Sequence, residues 1–155
     1  MTLPLSTLTE QEQRCWEVYR QATRLLQDHL ERRLQHDARM RPVHYDVLSL
    51  LAQAPDARLR MNELARGAHV SASRISQTVN RLEAAGWVRR EDSAEDRRGQ
   101  VAVLTEAGGR VLGQAAPVLS EAVHQALLGP LSSAQRNVLT EIMTLLAEGL
   151  RRSGP

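Results

Sequence analysis

The stretch VSASRISQTVNRLEAAGWVRREDSAEDRRGQVAVLTEAG, residues 70–108, decides how this chain folds. Its first half has the rhythm of a helix. Ser71 is placed to cap it, and Ile75, Val79 and Leu82 recur at helical spacing as one apolar stripe. Arg74, Gln77, Thr78 and Arg81 form a second, polar stripe at i, i+3, i+4 and i+7. The helix is expected to run to about Ala85, with Gly86 as the left-handed residue that ends it. Residues 87–90 and 100–104 then read as two antiparallel strands, joined by a turn that contains Glu95, Asp96, Arg97, Arg98 and Gly99.

Upstream of that stretch, residues 58–61 read as a very short strand and Asn62 as the cap of a helix over residues 63–67. A tight turn follows at Ala68, His69 and Val70. Many helix-turn-helix sequences carry Gly at the place of His69, but His tolerates left-handed geometry better than most residues. Two helices about a short turn, followed by a hairpin with a basic tip, make a winged helix-turn-helix. The second helix then suits a major groove, where Arg reads guanine and Gln reads adenine. Ser71 and Ser73 at its start, with Thr78, are suited to hold backbone phosphates, helped by the positive end of the helix dipole. Arg97 and Arg98 would reach from the wing toward a minor groove. The plainer alternative is that the polar stripe is an ordinary solvated face and the turn an ion-paired loop.

The flanks are helical. Residues 9–36 carry Trp16, Tyr19, Thr23, Leu26, Leu30 and Leu34 on one face, opened by a capping box of Thr9 and Glu12. Pro42 opens a second helix, with Val43, Val47, Leu48 and Leu51 inward and a stop near Pro55. Thr105 caps a helix over about 106–128, in which Pro117 is expected to cause a kink. Ser132 and Gln135 form another capping box before a last helix lined by Val138, Leu139, Ile142, Leu145 and Leu146. The expected fold is mainly α, with a small β wing and long N- and C-terminal helices.

The totals agree with one domain of a soluble globular protein, 155 residues long and 42% apolar, with no span suited to a membrane and no secretory leader. The single Cys15 has no intrachain partner, which fits a reducing cytoplasm. Every basic residue but histidine is Arg, and residues 58–98 hold nine of them against six acids, whereas residues 1–57 and 106–150 are net acidic. The middle is therefore the basic part.

Residues 70–108 closely resemble the multiple antibiotic resistance regulator (MarR) family. Its wing signature, Asp-x-Arg, an apolar strand, Leu-Thr and a Gly three residues on, is met by Asp96, Arg98, Val101, Val103, Leu104, Thr105 and Gly108. The element order agrees along the whole chain. The resemblance implies one domain over residues 1–155, with 9–36 and 106–151 as dimerisation helices and 42–104 as the DNA-binding lobe. It implies a homodimeric transcriptional regulator, a repressor that binds a pseudo-palindromic site on double-stranded DNA. It also implies a small aromatic or anionic ligand as the releasing signal, for which Trp16, Tyr19, Arg20, His44 and Tyr45 are candidates.

Cys15 also invites comparison with the hydroperoxide-sensing branch of that family, in which tyrosines hold the thiol; Tyr19 and Tyr45 are available here. His44 and His124 fall short of a metal-ligand set, so no metal or cofactor is expected. No nucleophile elbow, phosphate loop or metalloprotease motif is present, so no catalytic residue is assigned. A winged-helix module that binds protein instead of DNA is the alternative from another class.

Overall fold

The computed structural model describes residues 7–92 and 100–152, so Arg97 and Arg98 lie outside the described residues. The elements are α1 (Glu10–Asp37), α2 (Pro42–Gln53), β1 (Arg58–Arg60), α3 (Met61–Gly67), α4 (Ala72–Ala84), β2 (Val88–Asp92), β3 (Gln100–Leu104), α5 (Glu106–Val123) and α6 (Ser133–Arg152). The chain divides into two compact units, Glu31–Leu119 and the pair of outer segments Met1–Leu30 with Ser120–Pro155.

Local rules account for most boundaries. Thr9 accepts from the Glu12 amide at 3.3 Å while the Glu12 carboxylate accepts from the Thr9 amide at 2.8 Å, closing the box at the head of α1. Ser132 and Gln135 do the same before α6, at 3.3 and 2.9 Å. Helix α3 starts at Met61, earlier than a cap at Asn62 would allow. The Glu63 carboxylate accepts from the Arg60 amide at 3.1 Å, which makes Arg60 the cap. Strand β2 starts at Val88, after Trp87. Helix α5 runs through Pro117 to Val123, and residues 124–128 wind as a π-helix where one α-helix was expected to continue.

Within the unit 31–119, α2, α3 and α4 pack on a three-stranded antiparallel sheet in the order β1-β3-β2. The register pairs Leu59 with Ala102 and Arg90 with Ala102 across the two sides of β3. Val47, Leu48, Leu51, Leu64, Ile75, Val79, Leu82 and Val88 are buried in one core. Each such side chain contributes about 1.5–3 kcal/mol relative to exposure.

The junction of α4, β2 and α5 is tied by one threonine. Gly86 takes the left-handed φ of 74° that ends α4. The Thr105 amide donates to the Trp87 carbonyl at 3.1 Å and its hydroxyl to the Gly86 carbonyl at 2.7 Å. The same hydroxyl accepts from the Gly108 amide at 3.0 Å, so it caps α5 while holding the turn. At Gly108 the backbone of Trp87 comes so close that a Cβ would lie 2.1 Å from its carbonyl oxygen. The Leu-Thr-x-x-Gly spacing is thus a packing requirement.

Candidate nucleic-acid interface

Helix α4 owes its position to its own two faces. Ile75, Val79 and Leu82 are buried at 1% exposure or less, which fixes the rotation of the helix and turns Ser73, Arg74, Gln77 and Arg81 outward. Ser71 caps the helix, its Oγ accepting from the Arg74 amide at 3.2 Å. The turn before it holds His69 at φ 52°, so the His at the usual Gly place does adopt the left-handed form.

Thr78 is set apart from the residues with which its spacing grouped it. It is buried, 5% exposed, and its hydroxyl donates back to the Arg74 carbonyl at 2.9 Å. Asn80, outside that polar stripe, is exposed one residue before Arg81. It lies at i+3 from Gln77, and that offset was the signal that could have found it.

The pairing of the arginines is informative. Glu91 on β2 holds two of them: Arg58 reaches over β3 to it at 2.7 Å, and Arg89 meets its other oxygen at 2.7 Å. Arg90 is turned inward, donating from its guanidinium to the Ser76 carbonyl of α4 at 3.1 Å and from its amide to the Glu83 carboxylate at 3.1 Å. Its Nε is buried and unpartnered among the described residues. The hairpin base is thereby clamped to α4. Arg66, Arg74 and Arg81 have exposed side chains with no ion pair to any described residue. Such unpaired guanidinium groups are free to meet carbonyl or phosphate oxygens.

His44 on α2 lies behind this surface, its ring edge-on to Trp87 with centroids 6.5 Å apart. Burial lowers its pKa below the usual 6.5, and the charges of Arg41 and Arg81 lower it further. The neutral imidazole is the favoured form, which spares Arg81 a positive neighbour.

The candidate ligand residues fall in two groups. Trp16 and Tyr19 stack at 6.0 Å, with the Arg20 guanidinium 5.9 Å from the Trp16 ring, all on α1 in the unit formed by the outer segments. His44 and Tyr45 belong to the other unit. Cys15 is an exposed free thiol, and no hydrogen bond joins it to a tyrosine among the described residues. His44 and His124 are likewise divided between the units. Among the described residues no group of three or more His, Cys, Asp or Glu could hold a metal ion, and no helix is long and apolar enough to cross a membrane.

Three packed helices, a short antiparallel sheet and an outward helix with unpaired arginines define a winged helix-turn-helix protein. The chain is 50% identical to Sco3205, a MarR family transcriptional regulator from Streptomyces coelicolor solved in complex with DNA, with a TM-score of 0.88 over 92% of this chain and 90% of that one. It is 35% identical to AbsC of the same organism, with a TM-score of 0.87 over 93% of this chain and 97% of that one. A curated relative, the transcriptional regulator HosA of Escherichia coli O127:H6, is 26% identical over 125 residues, covering 81% of this chain and 90% of HosA. The model of the MarR family matches residues 40–99. This chain belongs to the MarR family of transcriptional regulators.

Proposed function

We propose that the protein is a homodimeric, sequence-specific DNA-binding regulator that represses from a pseudo-palindromic site and is released by a small ligand. The observation that carries the DNA reading is α4: its inward stripe is consumed by the core, while Arg74, Gln77 and Arg81 stay exposed and Arg74 and Arg81 unpaired. Arg74, Gln77 and Arg81 read base edges, with Asn80 beside them. Ser71 and Ser73 meet backbone phosphates at the positive end of the helix, and Arg97 and Arg98 work from the wing. Thr78 supports this face from beneath by holding the Arg74 carbonyl. The DNA-bound state of Sco3205, at 50% identity, supports the same reading.

The dimer reading rests on the outer helices. Trp16, Val18, Leu25, Ile142, Leu145 and Leu146 are exposed by 44–62%, and α6 has no buried residue. Apolar helical surface of this kind is suited to a second copy of the chain. No catalytic role is assigned, since the family consists of transcriptional regulators.

Fluorescence anisotropy with the DNA upstream of the protein's own gene tests the reading. Wild type binds with an affinity that falls steeply with salt, and Arg74→Ala weakens the specific site by about 1–3 kcal/mol while leaving nonspecific DNA much less affected. Binding that is salt-insensitive, or equal for wild type and Arg74→Ala, would sink it.

A further inference from the structure

Glu83 stands where two electrostatic rules disfavour an acid. It lies in the last turn of α4, at the negative end of the helix dipole, and on the helix that the DNA reading brings against phosphates. Its contacts show what holds it there. One carboxylate oxygen accepts from the Arg90 amide at 3.1 Å, and the other lies 3.9 Å from the Arg90 guanidinium. The same guanidinium donates to the Ser76 carbonyl at 3.1 Å, from a side chain only 20% exposed. Arg90 is thus spent on α4 and is not free to meet a phosphate.

The two points that Arg90 grips, Ser76 and Glu83, are seven residues apart in one helix. They therefore share one flank of α4, about 10 Å from each other along its axis. That flank separates the buried stripe of Ile75, Val79 and Leu82 from the outward Gln77 and Asn80. The core decides which face of α4 points inward, through contacts that have no preferred direction. Hydrogen bonds have one, and those made with Arg90 hold the helix against small rotations and sliding. A rotation of about 10° moves a side-chain tip roughly 5–6 Å from the axis by about 1 Å, more than a base-reading contact tolerates. The strand that carries Arg90 is itself fixed. β2 pairs with β3, with Arg90 opposite Ala102, and Glu91 holds Arg58 of β1 at 2.7 Å.

We propose that Arg90 and Glu83 set the pose of α4 on the wing, and so act as positioning residues for sequence recognition while touching no base themselves. This deepens the DNA reading of α4 and rests on it. Glu83, an acid on the base-reading helix, thereby favours the specific site, the opposite of what its charge alone would do.

Fluorescence anisotropy on the whole protein tests this, comparing the duplex upstream of its own gene with a shuffled duplex of equal length and composition. Glu83→Ala gives opposite signs for the two explanations. Removing an exposed acid beside DNA strengthens binding to both duplexes if only charge matters, whereas loss of the clamp weakens the upstream duplex alone. The upstream-to-shuffled affinity ratio is expected to fall at least about fivefold, the low end of what one mismatched base pair costs. The salt slope on shuffled DNA should stay unchanged. Glu83→Gln, whose amide oxygen still accepts from the Arg90 amide, should keep the ratio within about twofold of wild type. Arg90→Met should lower the ratio as well, and the double variant by less than the product of the single losses, since both break one clamp. An unchanged or raised ratio in Glu83→Ala overturns the proposal. So does equal weakening on both duplexes, which marks a role in folding alone, or a Glu83→Gln protein that falls as far as Glu83→Ala. A loss confined to Arg90→Met, with the salt slope reduced by about one, assigns Arg90 to a phosphate and overturns it too. Wild-type protein that binds the two duplexes equally removes the DNA reading of α4, and this proposal with it.

Discussion

Replacing Gly108 by Ala tests the packing at the base of the wing. A methyl group there would lie 2.1 Å from the Trp87 carbonyl oxygen, 3.0 Å from the Trp87 carbonyl carbon and 2.8 Å from Leu104 Cδ1. Carbon and carbonyl oxygen normally stay about 3.3 Å or more apart, so something must shift by about 1 Å. Leu104 has a flexible tip that can give way. The Trp87 peptide is pinned: its carbonyl accepts from the Thr105 amide at 3.1 Å and its amide donates to the Leu82 carbonyl at 2.9 Å. Overpacking costs about 1–3 kcal/mol, and a lost hydrogen bond about 0.5–1.5 kcal/mol more. Helix propensity favours Ala by about 1 kcal/mol, so the net expectation is a loss of about 1–3 kcal/mol.

The same helix supplies the control. Gly113 is exposed and a Cβ there meets nothing within 4 Å, so Gly113→Ala should gain about 0.4–1 kcal/mol. Urea unfolding at a fixed protein concentration reads both, with unchanged m confirming that the midpoint shift is a stability change. Opposite signs in one helix cannot come from propensity alone. A Gly108→Ala protein as stable as wild type, or stabilised like Gly113→Ala, would show that the close approach is not a constraint.

Three further perturbations separate the parts of the interface. Arg98→Ala, outside the described residues, should reduce the salt dependence of operator binding by about one phosphate equivalent; an unchanged slope removes the wing contact. Arg90→Met leaves the Ser76 carbonyl without its partner and takes the guanidinium away from Glu83, which keeps only the amide of residue 90; it should cost about 1–3 kcal/mol in urea unfolding, whereas an exposed arginine would cost under about 0.5 kcal/mol. For His44 the folded pKa lies below the usual 6.5, so the unfolded chain takes the proton first. Its contribution is whole above that value and is lost as pH falls from there to the folded pKa; Asp46, raised from 3.8, acts oppositely but at lower pH. His44→Gln should flatten the decline in unfolding midpoint from about pH 7 to about pH 5, and an unchanged profile would refute the assignment.

What could be read from residues alone was what local rules govern. The inward stripe of α4, the cap at Ser71 and the two capping boxes follow from spacing and one hydrogen-bonding side chain each. Thr78 shows where spacing fails. At i+4 from Arg74 it sits on the border between the stripes, and its hydroxyl can be satisfied by the helix's own carbonyl, so burial costs it little. The rest was hidden because it joins distant segments. Arg58 and Glu91 are 33 residues apart, and no periodicity links them.

The charge pattern also acquires a different meaning. A net excess of three arginines in residues 58–98 is weak evidence for a nucleic-acid partner, since it could be dissipated in ion pairs. In the folded unit some of it is: Arg58, Arg89 and Arg90 are held by Glu91 and Glu83, where they fasten strands to each other and to α4. Among the described residues of this stretch, Arg66, Arg74 and Arg81 carry positive charge without an ion pair, on and beside the outward face of α4. Among the described residues the large exposed apolar side chains, by contrast, all belong to α1 and α6, in the unit of the outer segments. A protein partner would be sought at those helices and not at α4. The winged unit therefore keeps polar, unpaired donors on the outward face of α4, while Glu83 and Glu91 hold Arg58, Arg89 and Arg90 in the frame that carries it.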